Sequence, residues 1–368
     1  MKTAIGLMSG TSMDGIDVAL LRTDGEALLE FGPAMAVPYD PAVRDMLAAA
    51  NGEAASLSDR TARPGILTEA EEVVTDLHAS AVLQFLAAND LMPEGIDLIG
   101  FHGQTVLHRP DKGLTVQLGD GLRLARATGI DTVHDFRAAD MEAGGQGAPL
   151  VPVFHRALAH HFGLAAPIAF VNIGGIANVT FIGEDDALLA FDCGPGNALI
   201  DQWVQAHAGV PFDQGGAIAS EGTALEPLVA RYMAHPFLAK PGPKSLDRAD
   251  FTPLEPAAAS LHDGARTLAH ITAAAIARSA DLMPGPPDRW VVCGGGRRNA
   301  AIMADLAAMV SGTVVTSDSL DIEGDMLEAQ AFAYLAVRSV QGLPLTFPGT
   351  TGVRGETLGG SLVNAVRE

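Results

Sequence analysis

The sequence predicts an α/β protein made of two similar halves, and three observations carry that prediction. The chain has 368 residues, 48% of them hydrophobic and spread along its length, enough for two cores. Residues 2–36 and 167–191 follow one plan: strand, glycine-rich turn, strand, third strand. Each such meander is followed by helices alternating with strands, whereas a Rossmann-type sheet would begin strand–helix–strand. The spacing is too irregular for a solenoid.

Composition excludes several classes. No apolar run approaches the ~20 residues of a membrane-spanning helix. The N-terminus enters a strand directly, without the basic start and apolar stretch of a signal peptide. Cys193 and Cys293 are the only cysteines, so no disulfide framework is expected, and the expected compartment is the reducing cytoplasm. A formal charge of −21 argues against nucleic acid and anionic membranes. It mostly reports solubility, so an anionic substrate would need local backbone N–H groups and a few arginines.

The first half opens with a strand over Thr3–Met8, a turn over Ser9–Gly15, a second strand over Ile16–Arg22 and a third within Ala27–Ala36. The turn's small residues let backbone N–H groups converge on a phosphate, with Ser9, Thr11 and Ser12 adding hydroxyls. An ordinary hairpin loop would use the same residues. Residues 40–92 read as helical. One helix opens at Asp40-Pro41, and a longer one from Thr68 to Asn89 lines up Val73, Leu77, Ala81 and Phe85. Ile96–Phe101 is an apolar strand ending in His102-Gly103-Gln104-Thr105. A polar cluster at the C-terminal end of a strand is a favoured ligand position, although His102 can equally be structural. A strand at Thr115–Leu118, a helix at Gly121–Ala127 and a strand at Asp131–His134 complete the half. Residues 133–152 lack periodicity and set Asp135, Arg137, Asp140, Glu142 and Gln146 among three glycines, as a substrate loop or hinge would. Arg137 is best suited to a fork contact with carboxylate or phosphate.

In the second half, Ile173 to Val179 bends through Gly174-Gly175. A strand follows at Val179–Ile182, and another at Ala187–Phe191 runs into Asp192. The turn Gly194-Pro195-Gly196 follows, and Asn197 is placed to cap a helix beginning near Ala198. Asp192 is thus expected at a strand end, beside a glycine turn and a helix N-terminus, where an anion can be cradled and a carboxylate can act on it. Helices are expected at 197–208, 223–235 and 262–283, with a Pro-rich irregular excursion at 236–255. Trp290–Cys293 is a strand entering Gly294-Gly295-Gly296. A helix at Asn299–Val310, a strand at Thr313–Thr316 and a long helix at Met326–Val340 follow. Turns 9–15 and 174–175 hold equivalent places and, face to face, would close on the phosphates of one nucleotide. Gly294–Gly296 would let an adenine or ribose approach the backbone.

The motifs GLMSGTSMDGID (6–17), FHGQT (101–105), HDFR (134–137), VNIGGIANVT (171–180), FDCGPGNALID (191–201) and CGGGRRN (293–299) resemble those of the anhydro-N-acetylmuramic acid kinases, from residue 3 to about residue 360. The resemblance implies the sugar kinase/Hsp70/actin superfamily: two ribonuclease-H-like domains of actin/hexokinase type, with mixed sheets around a central nucleotide cleft. The expected domains are 1–135, with 345–368 a candidate to return to it, and 136–344. It further implies hydrolytic opening of a 1,6-anhydro ring with phosphorylation of O6 by ATP and Mg²⁺, in peptidoglycan recycling, by a cytoplasmic homodimer. Cys193 stands where the family more often has threonine.

By the matching motifs, Asp192 is the catalytic aspartate, and a base at that position can take a proton from water aimed at the anomeric carbon. Glu328, in EAQAFAYLA on the last long helix, is the candidate second carboxylate near water or metal, or else a solvated helix residue. The nucleotide-binding set is Gly10, Thr11, Ser12, Met13, Asp14, Gly15, Ile16, Asp17, Asn172, Gly174, Gly175, Gly294, Gly295 and Gly296. Asp14 and Asp17 organise the phosphate loop, hold metal through water, or are turn chemistry alone; the metal ligands are otherwise unassigned. The expected sugar contacts are His102, Gln104, Arg137, Asp192 and Asn197. Two other readings stay open: another small-metabolite kinase of the superfamily, and an actin- or chaperone-type ATPase, which would need an added domain.

Overall fold

The computed structural model describes residues 1–246 and 250–365. It divides into two compact units, Met1–Gly163 with Met326–Glu368, and Leu164–Asp325.

The first unit begins with the expected meander of β1 (Lys2–Ser9), β2 (Gly15–Thr23) and β3 (Leu29–Pro38), all antiparallel neighbours. Helices α1 (Pro41–Ala54) and α2 (Ile66–Ala88) follow. Next come β4 (Leu98–Arg109), parallel to β1, and β5 (Leu114–Leu118), which folds back on β4. Helix α3 (Gly121–Thr128) starts at Asp120, whose carboxylate accepts from the N–H groups of Leu122 and Arg123. Strand β6 (Thr132–His134) then lies parallel to β4, and α4 (Ala138–Glu142) and α5 (Pro152–His161) complete the stretch.

The second unit repeats the plan with β7 (Ile168–Ile173), β8 (Ile176–Ile182) and β9 (Leu188–Pro195) as the meander. Helices α6 (Ala198–Ala208), α7 (Ala217–Ser220), α8 (Glu226–Met233) and α9 (Leu261–Arg278) come next. Helix α9 is capped by Ser260, which accepts from Asp263 N–H, and it buries a face of Ala265, Leu268, Ala269, Thr272, Ala275 and Ile276. Strand β10 (Arg289–Cys293) lies parallel to β7, α10 (Ala300–Met309) follows, and β11 (Thr313–Thr316) lies parallel to β10.

The chain then returns to the first unit through α11 (Leu327–Val340), α12 (Pro348–Thr351) and β12 (Ser361–Val363), which pairs antiparallel with β6. The sheet spines are β3-β2-β1-β4-β6 and β9-β8-β7-β10-β11. Both have one strand order with only the second strand antiparallel, so the duplication is a pair of ribonuclease-H-like domains.

The units divide after Gly163 and Asp325, not at 135/136 and 344/345 as the sequence reading had it. The reason is α11, whose backbone presses so closely on the first sheet that a side-chain carbon at Gly6 or Gly100 would overlap the carbonyl of Ala329 or Phe332. Its buried face, from Leu327 to Arg338, is rich in alanine and finds its cover there. Strand β4 runs through His102–Thr105, and β9 runs through Asp192 to Pro195, so neither polar group sits at a strand end. Of the Pro-rich excursion, residues 247–249 lie outside the described residues, as do 366–368 of the C-terminal segment.

Candidate active site

In the first unit, the turn after β1 is held to β4. Ser9 Oγ donates to Gly103 O at 3.2 Å, and Gln104 Nε2 donates to Gly10 O at 3.0 Å. Met13 N–H donates to Gly10 O at 3.1 Å, closing the turn. The left-handed residue is Met13, at φ 57°, and not Gly10, which has negative-φ or extended backbone. Thr11, Ser12 and Asp14 are exposed, with Ser12 Oγ donating to Asp14 Oδ1 at 2.9 Å. Gly15 lies so near the Val37 carbonyl that a side chain would overlap it. Ile16 is a core residue, 1% exposed, so only its backbone can serve a ligand. Asp17 pairs across the sheet with Met8 and Ala36.

Beside this turn, Arg137 donates from Nε at 3.2 Å and from Nη2 at 2.9 Å to His102 Nε2, and from Nη1 at 2.7 Å to Gly147 O. His102 Nε2 therefore carries the lone pair, which assigns the ring proton to Nδ1. Burial, helped by the Arg137 charge, holds His102 well below the ordinary histidine pKa, so the ring is neutral. Burial also lowers Arg137 to about 10, against Glu328 and Asp140, and it stays a cation. Three of its five N–H groups are spent on these contacts. Glu328, in the first turn of α11, is partly buried. Burial raises its pKa and Asp14 adds to the rise, while Arg137 opposes it. The chain thus brings Arg137 onto His102 and within electrostatic reach of Glu328, which in turn feels Asp14, and their separation in sequence did not announce this.

In the second unit, strand register sets Asp192 of β9 against Asn178 of β8, Asn178 against Asn172 of β7, and Asn172 against Cys293 of β10. Asp192 N–H donates to Lys244 O at 3.0 Å, and Asp192 Oδ2 accepts from Leu246 N–H at 2.7 Å. Burial pushes the carboxyl up to about 6, opposed by the Leu246 N–H and the Lys244 charge. Lys244 is itself buried. Its Nζ donates to Phe237 O at 2.8 Å and stands 4.5 Å from the centre of the Phe237 ring. Lys244 and Leu246 of the Pro-rich excursion therefore bond to β9 at Asp192, and no motif revealed those roles.

Three glycine stretches of this unit meet around Ile173. Gly196 N–H donates to Gly175 O at 3.0 Å and Asn197 N–H to Gly174 O at 2.7 Å. Gly294, at φ 73°, backs onto the Asn172 side chain, and Gly296 onto Ile173. Gly295 faces Asn197 Nδ2. Asn197 does not cap α6 with its side chain as expected: its Nδ2 donates to Ile173 O at 3.1 Å and so ties the second glycine turn to the first. Sequence reasoning passed over Arg297. It is 5% exposed, donates to Gly294 O at 3.0 Å, and forks to Asp318 at 2.7 and 3.0 Å and to Asp325 at 2.8 Å. The only signal was a doubled arginine after the glycines.

Among the described residues, no group of three or more His, Cys, Asp or Glu side chains can hold a metal ion, and no helix is long and apolar enough to cross a membrane.

A family model described as anhydro-N-acetylmuramic acid kinase matches residues 2–365. Curated proteins of that name from Rhizobium etli and Agrobacterium fabrum are 55% identical over 364 residues and 54% identical over 370 residues. The matches cover 98% and 99% of both chains, respectively. One from Brucella abortus is 52% identical over 365 residues, 98% of each chain. Among solved structures, an activator of 2-hydroxyisocaproyl-CoA dehydratase from Clostridium difficile aligns over 92% of this chain and 96% of its own, at 11% identity and a TM-score of 0.48.

Proposed function

The chain belongs to the anhydro-N-acetylmuramic acid kinase family, and on that premise we propose that it opens the 1,6-anhydro ring of anhydro-N-acetylmuramic acid with water and transfers the γ-phosphoryl group of ATP to O6. The products are N-acetylmuramic acid 6-phosphate and ADP, a step of peptidoglycan recycling. The observation that carries the mechanism is Asp192: a carboxylate with one oxygen held by Leu246 N–H, and with a pKa raised to about 6. Such a group is mostly ionised at neutral pH yet basic enough to accept a proton near the working pH.

The steps balance. Water attacks C1 and gives its proton to Asp192. The C1–O6 bond breaks, and its electron pair makes O6 the nucleophile. O6 forms a bond to the γ-phosphorus as the bond to the β-phosphate oxygen breaks. Arg137, His102, Gln104 and Asn197 are the proposed sugar contacts, with Arg137 offering the N–H groups that His102 and Gly147 leave over. The proposed phosphate contacts are the 10–17 turn and, in the second unit, Asn172, Gly174 and Gly175. Gly294, Gly295 and Gly296 are proposed for the nucleoside.

A magnesium ion serving phosphoryl transfer keeps much of its water and needs only one or two carboxylates beside the phosphates. Asp14, exposed on the 10–17 turn, and Glu328, in the first turn of α11, are the two carboxylates proposed for it, and bound there the ion would neutralise phosphate charge. A homodimer is likewise proposed, on the family alone, and a cytoplasmic location, on the presence of only two cysteines.

The test is to incubate the protein with ATP and anhydro-N-acetylmuramate and identify the product by mass. The expected product has gained the elements of one water and one phosphoryl group. ADP release that does not respond to the sugar would overturn the proposal.

A further inference from the structure

Arg137 owes its direction to a loop that returns over α4. Residues 143–147 turn back so that Gly147 O accepts from Arg137 Nη1 at 2.7 Å. Asp140 holds that loop in place. Its Oδ2 accepts from Gly147 N–H at 2.6 Å, its Oδ1 accepts from the Thr351 hydroxyl at 2.6 Å, and its backbone carbonyl accepts from Gly145 N–H at 2.8 Å. A second strap joins the same pieces, Gln146 N–H donating to Thr351 O at 2.8 Å. Asp140 is 1% exposed and Thr351 0%.

A carboxylate this buried is tolerable only because short, charge-assisted bonds satisfy it. Two glycines let the loop close over it. A side-chain carbon at Gly145 would overlap Asp140 Oδ2, and Gly147 has φ 71° with Met141 Sδ 2.7 Å from where such a carbon would lie. A hinge or a free substrate loop would not need this anchorage.

We propose that Asp140, with Thr351, is a positioning residue of the sugar site: it fixes the Gly147 carbonyl, which together with His102 takes three N–H groups of Arg137 and leaves the other two directed at the substrate. The inference rests on the reading of Arg137 as a sugar contact. Asp140 is buried beneath the loop, so its removal should reach the substrate through Arg137.

The test is a double-mutant cycle on the full chain, with kcat, both KM values and the melting temperature read for each variant. In Asp140→Asn the amide oxygen can keep the Gly147 N–H, but the N–H₂ then faces the Thr351 hydroxyl, which must turn its own proton away, and both straps lose the charge that strengthens them. We expect the sugar KM to rise about 10- to 100-fold, as for loss of an oriented charged hydrogen bond, with the ATP KM within about twofold of native. Thr351→Val should raise the sugar KM in the same sense and Thr351→Ser should restore it, which decides the matter even if Asp140→Asn does not fold. In an Arg137→Ala background, Asp140→Asn should add nothing. If Arg137→Ala raises the sugar KM and Asp140→Asn multiplies that rise, the positioning role is overturned while the reading of Arg137 stands. A native sugar KM in Arg137→Ala overturns both. A native sugar KM in Thr351→Val overturns the positioning role directly.

Discussion

Replacing Asp192 by asparagine should make the protein slower and, at neutral pH, more stable. The side chain keeps its size, and its carbonyl oxygen can still accept from Leu246 N–H, which the carboxylate now takes at 2.7 Å. What disappears is the oxygen that accepts the water's proton. A general base supplies ~10²–10⁴-fold, or about 3–5 kcal/mol of barrier, so turnover should fall at least about a hundredfold while binding of ATP and sugar changes far less. The stability term has the opposite sign. Burial raises the carboxyl from 3.8 to about 6, so the folded state disfavours the ionised form. This penalty is absent below the unfolded pKa, grows between the two values, and is complete above the folded one. A gap of about two units corresponds to roughly 3 kcal/mol, and partial exposure reduces that to on the order of 1–2 kcal/mol. The neutral variant escapes the penalty, so urea unfolding at pH 7 should show it no less stable than native. In the native enzyme kcat/KM should rise with pH through about 6 as the base ionises, and the variant should lack that limb. Near-native turnover in a folded variant would sink the assignment and pass the role to Glu328. A large loss of stability would mean that Asp192 is structural.

Gly10→Val and Gly174→Val should weaken ATP binding by at least about tenfold in calorimetry, since a branched side chain would stand where phosphate approaches backbone. Both should fold, because neither glycine has positive φ and the nearest atoms to an added carbon are 3.3 and 3.7 Å away; unchanged affinity would assign these turns to structure alone. Gly294→Ala should destabilise the fold by about 1–3 kcal/mol, because its φ of 73° and the Asn172 side chain both oppose a side-chain carbon; native urea unfolding would contradict that. Sedimentation at micromolar concentration should show a dimer, and a monomer would count against the homodimer carried over from the family.

The two meanders were legible because their signals are local: short apolar runs, glycine turns, and strands entered directly from them. Strand ends were less legible. His102 and Asp192 are polar residues inside β4 and β9, and a polar residue in an apolar run reads as a boundary until the neighbouring strand supplies its ladder. The division of the chain was hidden for a different reason. Gly6 and Gly100 look like ordinary small residues in buried strands, and only the approach of α11, more than two hundred residues later, explains them. The same distance hid the union of Arg137 with His102 and Glu328. Asn197 was read as a cap from its position before α6, but the carbonyl of Ile173 competes for its side chain and wins. Arg297 lies within CGGGRRN, but its partners Asp318 and Asp325 are placed by the turns after β11, which no local pattern ties to it.

The central claim is that water opens the ring while the sugar's own O6 takes the phosphoryl group. The direct measurement is a single turnover in oxygen-18 water with ATP and anhydro-N-acetylmuramate, followed by locating the label and the phosphate by mass and NMR. The account predicts one labelled oxygen at C1 of the product and an unlabelled phosphate esterified to O6. Label in the phosphate, or an unlabelled C1 hydroxyl, would contradict it.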